Sequence, residues 1–106
     1  MEAILVITNL PDRAVAEQLS KALIEQRLAA CVNILAPCTS VYRWHDKVET
    51  AEEVPLVIKT LQVHYDKVEA VIRNFHPYEL PEIICVPISG GLPAYLDWVA
   101  AETSQK

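Results

Sequence analysis

Ser40-Val-Tyr-Arg-Trp-His-Asp-Lys-Val-Glu49, followed by Val54-Pro-Leu-Val-Ile-Lys-Thr60, is the stretch that decides the fold. Both halves are rich in β-branched and aromatic residues and partly alternate with polar ones, which is the composition of strands. His45 and Asp46 lie within the first of these, and both residue types reach positive φ more readily than most. A long hairpin from about residue 40 to residue 60 is therefore expected, with its turn at His45-Asp46 and with Tyr42 and Trp44 near its tip.

Upstream, Ala3-Ile-Leu-Val-Ile-Thr8 reads as a first strand ended by Asn9-Leu-Pro-Asp12, and Asp12 suits a helix N-cap. Val15, Leu19, Ala22, Leu23 and Gln26 then fall on one helical face. A second apolar run covers Ala30 to Leu35, and Pro37 interrupts it before the hairpin continues. Downstream, Leu61, Tyr65, Val68, Ile72 and Phe75 step by four, three, four and three residues, which predicts a second helix. Pro77 and Pro81 bracket its exit, Ile83 to Ile88 reads as another strand, and Gly90-Gly91 turns the chain. Pro93, in a first-turn position, opens a short C-terminal helix.

The order is β-α-β-β-α-β plus a tail helix. It predicts an α+β, ferredoxin-like split βαβ domain over residues 1–106, with an antiparallel sheet and both main helices on one face. The hairpin is longer than a sandwich of this size covers, and few charges defend the edge from Val41 to Trp44. A closed cyclic homo-oligomer resolves both problems by pairing hairpins between subunits and packing their aromatic residues across the interface.

Composition removes several function classes. With 106 residues, 52% hydrophobic and 22% charged, the chain has enough apolar material to fold. Its net charge of −5 repels polyphosphates, so nucleic acid is not an expected partner. Two adjacent glycines, Gly90 and Gly91, leave nothing for a phosphate-cradling loop. The first residues lack a basic stretch, and the run from Ala3 to Ile7 is far shorter than a signal core or a membrane span. A cytoplasmic protein without a membrane partner is expected. Cys31, Cys38 and Cys85 form no CxxC and read as buried reduced thiols used as small hydrophobes.

Functions that ride on this topology fail at their own residues. Ala3 to Thr8 and Val54 to Thr60 lack the base-stacking aromatics of an RNA-recognition domain. The loop after the first strand has neither the CxxC of a metallochaperone nor the glycines of an acylphosphatase. No seryl or cysteinyl position lies in a recognisable nucleophile motif, and no catalysis is expected.

Polar residues concentrate instead in two places. One is the hairpin, with Tyr42, Trp44, Lys47, Glu49 and Lys59. The other is His76-Pro-Tyr-Glu-Leu-Pro-Glu82, with Tyr95 and Trp98 following. The two prolines stiffen this loop, and an imidazole with a carboxylate, His76 with Glu82, suits Cu(II) or Zn(II) if water or another subunit completes the site. The same residues also suit a structural role, His76 closing the preceding helix at its negative end and Glu82 pairing with a basic residue at an interface.

Five blocks in order now carry a resemblance: Glu25-Gln-Arg-Leu-Ala-Ala-Cys-Val-Asn-Ile34, Ser40-Val-Tyr-Arg-Trp44, Glu53-Val-Pro-Leu-Val-Ile-Lys-Thr60, the His76 to Ile83 loop, and Tyr95-Leu-Asp-Trp98. Together they resemble the CutA divalent-cation-tolerance family over nearly the whole chain. The resemblance implies a ferredoxin-like protomer, a homotrimer built through the long hairpins, and a link to copper and other divalent metals. Copper ligands proposed in some members are a Cys late in the first strand, a His before the His-Pro-Tyr block and a Glu after the second Pro. Here those positions read Thr8, Phe75 and Glu82, with His76 adjacent as a substitute. The family's Trp-x-Gly-Lys turn is Trp44-His45-Asp46-Lys47 in this chain. Tyr42, Trp44, Lys59, Tyr78, Tyr95 and Trp98 match an inter-subunit cleft that suits a small anionic or aromatic ligand as well as a metal. By fold-level analogy with PII regulators, such a cleft makes a signalling or scaffolding trimer the second expectation.

Overall fold

The computed structural model describes residues 2–105. Its elements are β1 (Ala3–Leu10), α1 (Arg13–Glu25), β2 (Cys31–Ile34), β3 (Cys38–Trp44), β4 (Lys47–Leu61), α2 (Tyr65–Phe75), β5 (Ile83–Pro87) and α3 (Pro93–Glu102). The sheet order is β2-β4-β1-β5, with β3 also on β4 and every pairing antiparallel. β1 and β2 thus run parallel with β4 between them, which is the split βαβ arrangement.

Local chemistry accounts for most boundaries. Val15 N–H donates to the Asp12 carboxylate at 2.9 Å, so the anticipated N-cap is present. The turn residues His45 and Asp46 have φ of 50° and 63°, and Trp44 pairs directly with Lys47. A two-residue turn with both φ positive matches the twist of the flanking strands. The interruption expected at Pro37 is present and separates β2 from β3, both of which pair with the same unbroken β4. One predicted boundary differs. Leu61 ends β4 rather than starting a helix, and Gln62–His64 forms a short 3₁₀ turn before α2.

Strand alternation gives β1 and β4 two different faces. Ile4, Val6, Leu10, Val54, Leu56 and Ile58 are buried against α1 and α2 in one cluster. On α1 the buried residues are Ala16, Leu19, Ser20 and Leu23, so the core stripe is rotated towards small residues relative to the Val15 and Ala22 expected from apolar spacing. The opposite face carries Leu5, Ile7, Asn9, Pro55, Val57 and Lys59. Only its far end is covered, where Val99 of α3 packs with Ala3 and Leu61.

The position of α3 is secured by the end of α1. Arg27 has φ of 58°, Leu28 N–H donates to the Leu23 carbonyl, and Arg27 N–H donates to Ile24, closing α1 in a left-handed cap. From there the Arg27 guanidinium donates to the carbonyls of Ser104 at 2.6 Å and Ala101 at 3.1 Å. Cations are favourable at the negative end of a helix, so this contact ties α3 to the open sheet face.

Thr8 is buried among the core strands, and its hydroxyl has no hydrogen-bond partner. An unpaired buried hydroxyl costs about 1–3 kcal/mol. Thr8→Val, which keeps the shape and removes the orphan oxygen, is expected to raise the urea midpoint by about 1 kcal/mol of stability. A lower midpoint would mean that the hydroxyl is satisfied in solution.

Beyond the main sheet, β3 and the first half of β4 project as a two-stranded ribbon, and the molecule measures 45 × 26 × 23 Å. Val41 and Val48 on this ribbon are 68% and 69% exposed. The expected long hairpin is therefore present, with its aromatic tip and apolar flanks uncovered by the chain's own residues.

Candidate functional site

Asn9, at the C-terminal end of β1, is the centre of the polar site, and no sequence motif marks it. Its backbone carbonyl meets His76 Nε2 at 2.6 Å, and its side-chain amide donates to Glu82 at 3.1 Å and to Glu53 at 3.4 Å. Glu53 also accepts from Ser40 Oγ at 2.6 Å, so the same carboxylate ties the base of the hairpin to β1. The structure thus brings His76 and Glu82 to one residue, through partners that the sequence reading did not name.

The state of His76 follows from its two contacts. Tyr78 N–H donates to Nδ1 at 3.2 Å, so Nδ1 is an acceptor and Nε2 carries the proton given to the Asn9 carbonyl. The ring is buried and tilted against Tyr78 with centroids 4.7 Å apart. His76 does close α2, but through its backbone N–H, which donates to Ile72. Glu82 is exposed and bonds an amide rather than a basic side chain.

A transition-metal centre needs at least one free imidazole nitrogen or thiolate with further donors. Both nitrogens of His76 are engaged, Thr8 is buried under the helices, and Phe75 offers no donor atom. Among the described residues, no group of three His, Cys, Asp or Glu side chains is placed to hold a metal. As folded, these residues do not form a resident copper site. Burial first, and the negative charge of Glu53 next, push the Tyr78 hydroxyl above its ordinary pKa. The three cysteines are free, with Cys31 and Cys38 half-buried and Cys85 exposed, so the expectation of buried thiols is corrected.

The predicted cleft residues divide into separate groups. Tyr42 and Trp44 sit at the ribbon tip, opposite Glu49 and Lys47. Tyr78 lies beside Glu53 near the ribbon base. Lys59, Tyr95 and Trp98 gather at the far end, the Lys59 ammonium lying 5.9 Å from the Tyr95 ring centre and the two rings 5.5 Å apart. Residues 47 and 59 are twelve apart on one strand, or roughly 40 Å. One chain therefore does not gather these residues into one cleft.

A family model, CutA1 divalent ion tolerance protein, matches residues 4–102. The chain belongs to the CutA1 divalent ion tolerance family. It is 43% identical over 103 residues to the divalent-cation tolerance protein CutA of Thermus thermophilus, covering 97% of this chain and 99% of that protein. Protein CutA of Mus musculus is 42% identical over 89 residues, and the match spans 84% of this chain but half of that longer protein. The CutA crystal structure from Xylella fastidiosa superposes with a TM-score of 0.94 at 42% identity, covering 98% of this chain and all of that one. The α+β fold read from the sequence is thus the CutA1 fold. These names describe tolerance of divalent cations and no reaction. Among the described residues, no helix is long and apolar enough to cross a membrane.

Proposed function

We propose that this chain acts in divalent-cation tolerance as a cytoplasmic homotrimer that binds divalent metal weakly, copper first, and catalyses no reaction. The observation that carries the assembly is the uncovered ribbon together with the open sheet face, where Ile84 is 47% exposed and Val86 and Tyr42 are also exposed. Isolated apolar ribbons are marginal in water, and closed symmetry removes both the exposed sides and the free edges. The divided cleft residues agree with this reading, because a tip in one copy reaches the far end of another.

The contacts around Asn9 are the reason that metal binding there would be weak rather than resident. Glu82 is exposed and offers carboxylate oxygens directly, whereas His76 joins only by exchanging a hydrogen bond for coordination. Calorimetric titration with Cu(II) is expected to give weak, saturable heat in the native protein. His76→Ala and Glu82→Ala are each expected to weaken it several-fold, and identical isotherms for native and doubly substituted protein would remove the assignment.

A second reading is favoured by the Lys59, Tyr95 and Trp98 cluster: a signalling or scaffolding trimer that holds a small ligand between subunits. The two readings separate cleanly, since Lys59→Met is expected to leave the Cu(II) isotherm unchanged.

A further inference from the structure

Among the described residues, Lys59 is the only charged one in its stretch of the open face. Its cross-strand neighbours are Leu5 and Cys31, the residues two positions away along β4 are Val57 and Leu61, and Tyr95 of α3 lies over its end. The lysine is half-buried, yet among the described residues no carboxylate lies within ion-pair distance of its ammonium. A partly desolvated charge in apolar surroundings is unfavourable without a counter-charge. A ring face supplies only part of one.

We infer that Lys59, Tyr95 and Trp98 form a half-site for a small aromatic carboxylate, completed by the ribbon of a second copy. This deepens the second reading above and rests on it. The class follows from three features. The chain's net charge of −5 favours no anion, so this site must select by local contact. A single ammonium in an apolar frame matches one negative charge, whereas a phosphate carries more charge and needs more donors than this frame offers. Tyr95 and Trp98 are 39% and 42% exposed and lie at 37° to one another, leaving ring surface for a flat apolar body to cover. Tyr42 and Trp44 of β3 pair with Glu49 and Lys47, which share the odd-numbered side of β4 with Lys59, so the register places all three on one face. A ribbon laid across a neighbour's open face therefore brings aromatic side chains to the other side of the ligand.

Benzoate is the test probe, with benzyl alcohol as its uncharged counterpart and inorganic phosphate as the charged, non-aromatic one. Calorimetry is expected to show saturable benzoate binding with one site per chain, at least tenfold weaker in Lys59→Met and within a few-fold of native in Lys59→Arg. Benzyl alcohol and phosphate are expected to bind at least tenfold more weakly than benzoate. Light scattering on the same samples distinguishes two failures. A flat benzoate isotherm on assembled protein overturns the ligand class, as does equal binding by native protein and Lys59→Met. A single-chain mass overturns the shared cleft and this inference with it. If Lys59→Met instead loses assembly while native protein ignores benzoate, the counter-charge is a carboxylate of the second copy, and the inference fails.

Discussion

Ile58→Ala is expected to lower stability by about 3–5 kcal/mol, the largest loss anticipated for a single substitution in this chain. Ile58 is fully buried in the C-terminal half of β4, paired with Val6 on one side and Val32 on the other, in the cluster that receives Leu19, Leu23, Val68 and Ile72. Truncation removes most of its transfer free energy and leaves a cavity that three paired strands are too constrained to close. Because domains of this kind have only about 5–15 kcal/mol of stability, a loss of this size is visible as a large shift in the guanidinium midpoint. The comparison must be made at one protein concentration, since folding and association are expected to be linked. A loss below about 1 kcal/mol would show that β4 does not present Ile58 to the helices.

Trp44→Asp is expected to have the second largest effect, on assembly rather than on the protomer. Trp44 sits next to the turn, paired with Lys47, with its ring edge-on to His45 at 4.7 Å. Trp44 lies outside the buried core clusters, so the protomer should remain folded. In the proposed trimer the tip meets a neighbour, and a carboxylate buried there would cost several kcal/mol per subunit. Light scattering is expected to return three chain masses for the native protein and for Trp44→Phe, and a smaller species for Trp44→Asp. An intact trimer of Trp44→Asp would place this side chain outside the interface.

The fold was legible where one residue type does one physical job. Asp12 caps a helix because its carboxylate reaches a free N–H, and His45-Asp46 turns because both tolerate positive φ. Leu61 was misread because a residue at a strand–helix boundary fits either period: it lies four before Tyr65 and two after Lys59. Ala16 and Ser20 were missed because apolar spacing ranks residues by hydrophobicity. Close approach of a helix to its neighbours favours small side chains, and Ser20 satisfies its hydroxyl internally by donating to the Ala16 carbonyl at 2.7 Å.

The candidate site was less legible. His76 and Glu82 were found because prolines frame them, but their common partner Asn9 is one amide at a strand end, with no periodicity to betray it. Glu53 lies far from that loop in sequence and reaches it only through the pairing of β1 with β4. The six residues assigned to a cleft carry no information about which copy supplies them. Their separation along β4 became visible only once that strand was seen to be unbroken.

An uninterrupted run from Lys47 to Leu61 also imposes a parity rule. Side chains on it alternate without a bulge, so the aromatic tip and the lysine at the opposite end are locked to one side by nothing more than an even spacing. Deleting one residue between positions 48 and 58 would leave an odd spacing between Lys47 and Lys59, turning the tip to the other side and shifting the register of a neighbouring strand by one. Engineered lengthening or trimming of this arm must therefore proceed in steps of two residues per strand.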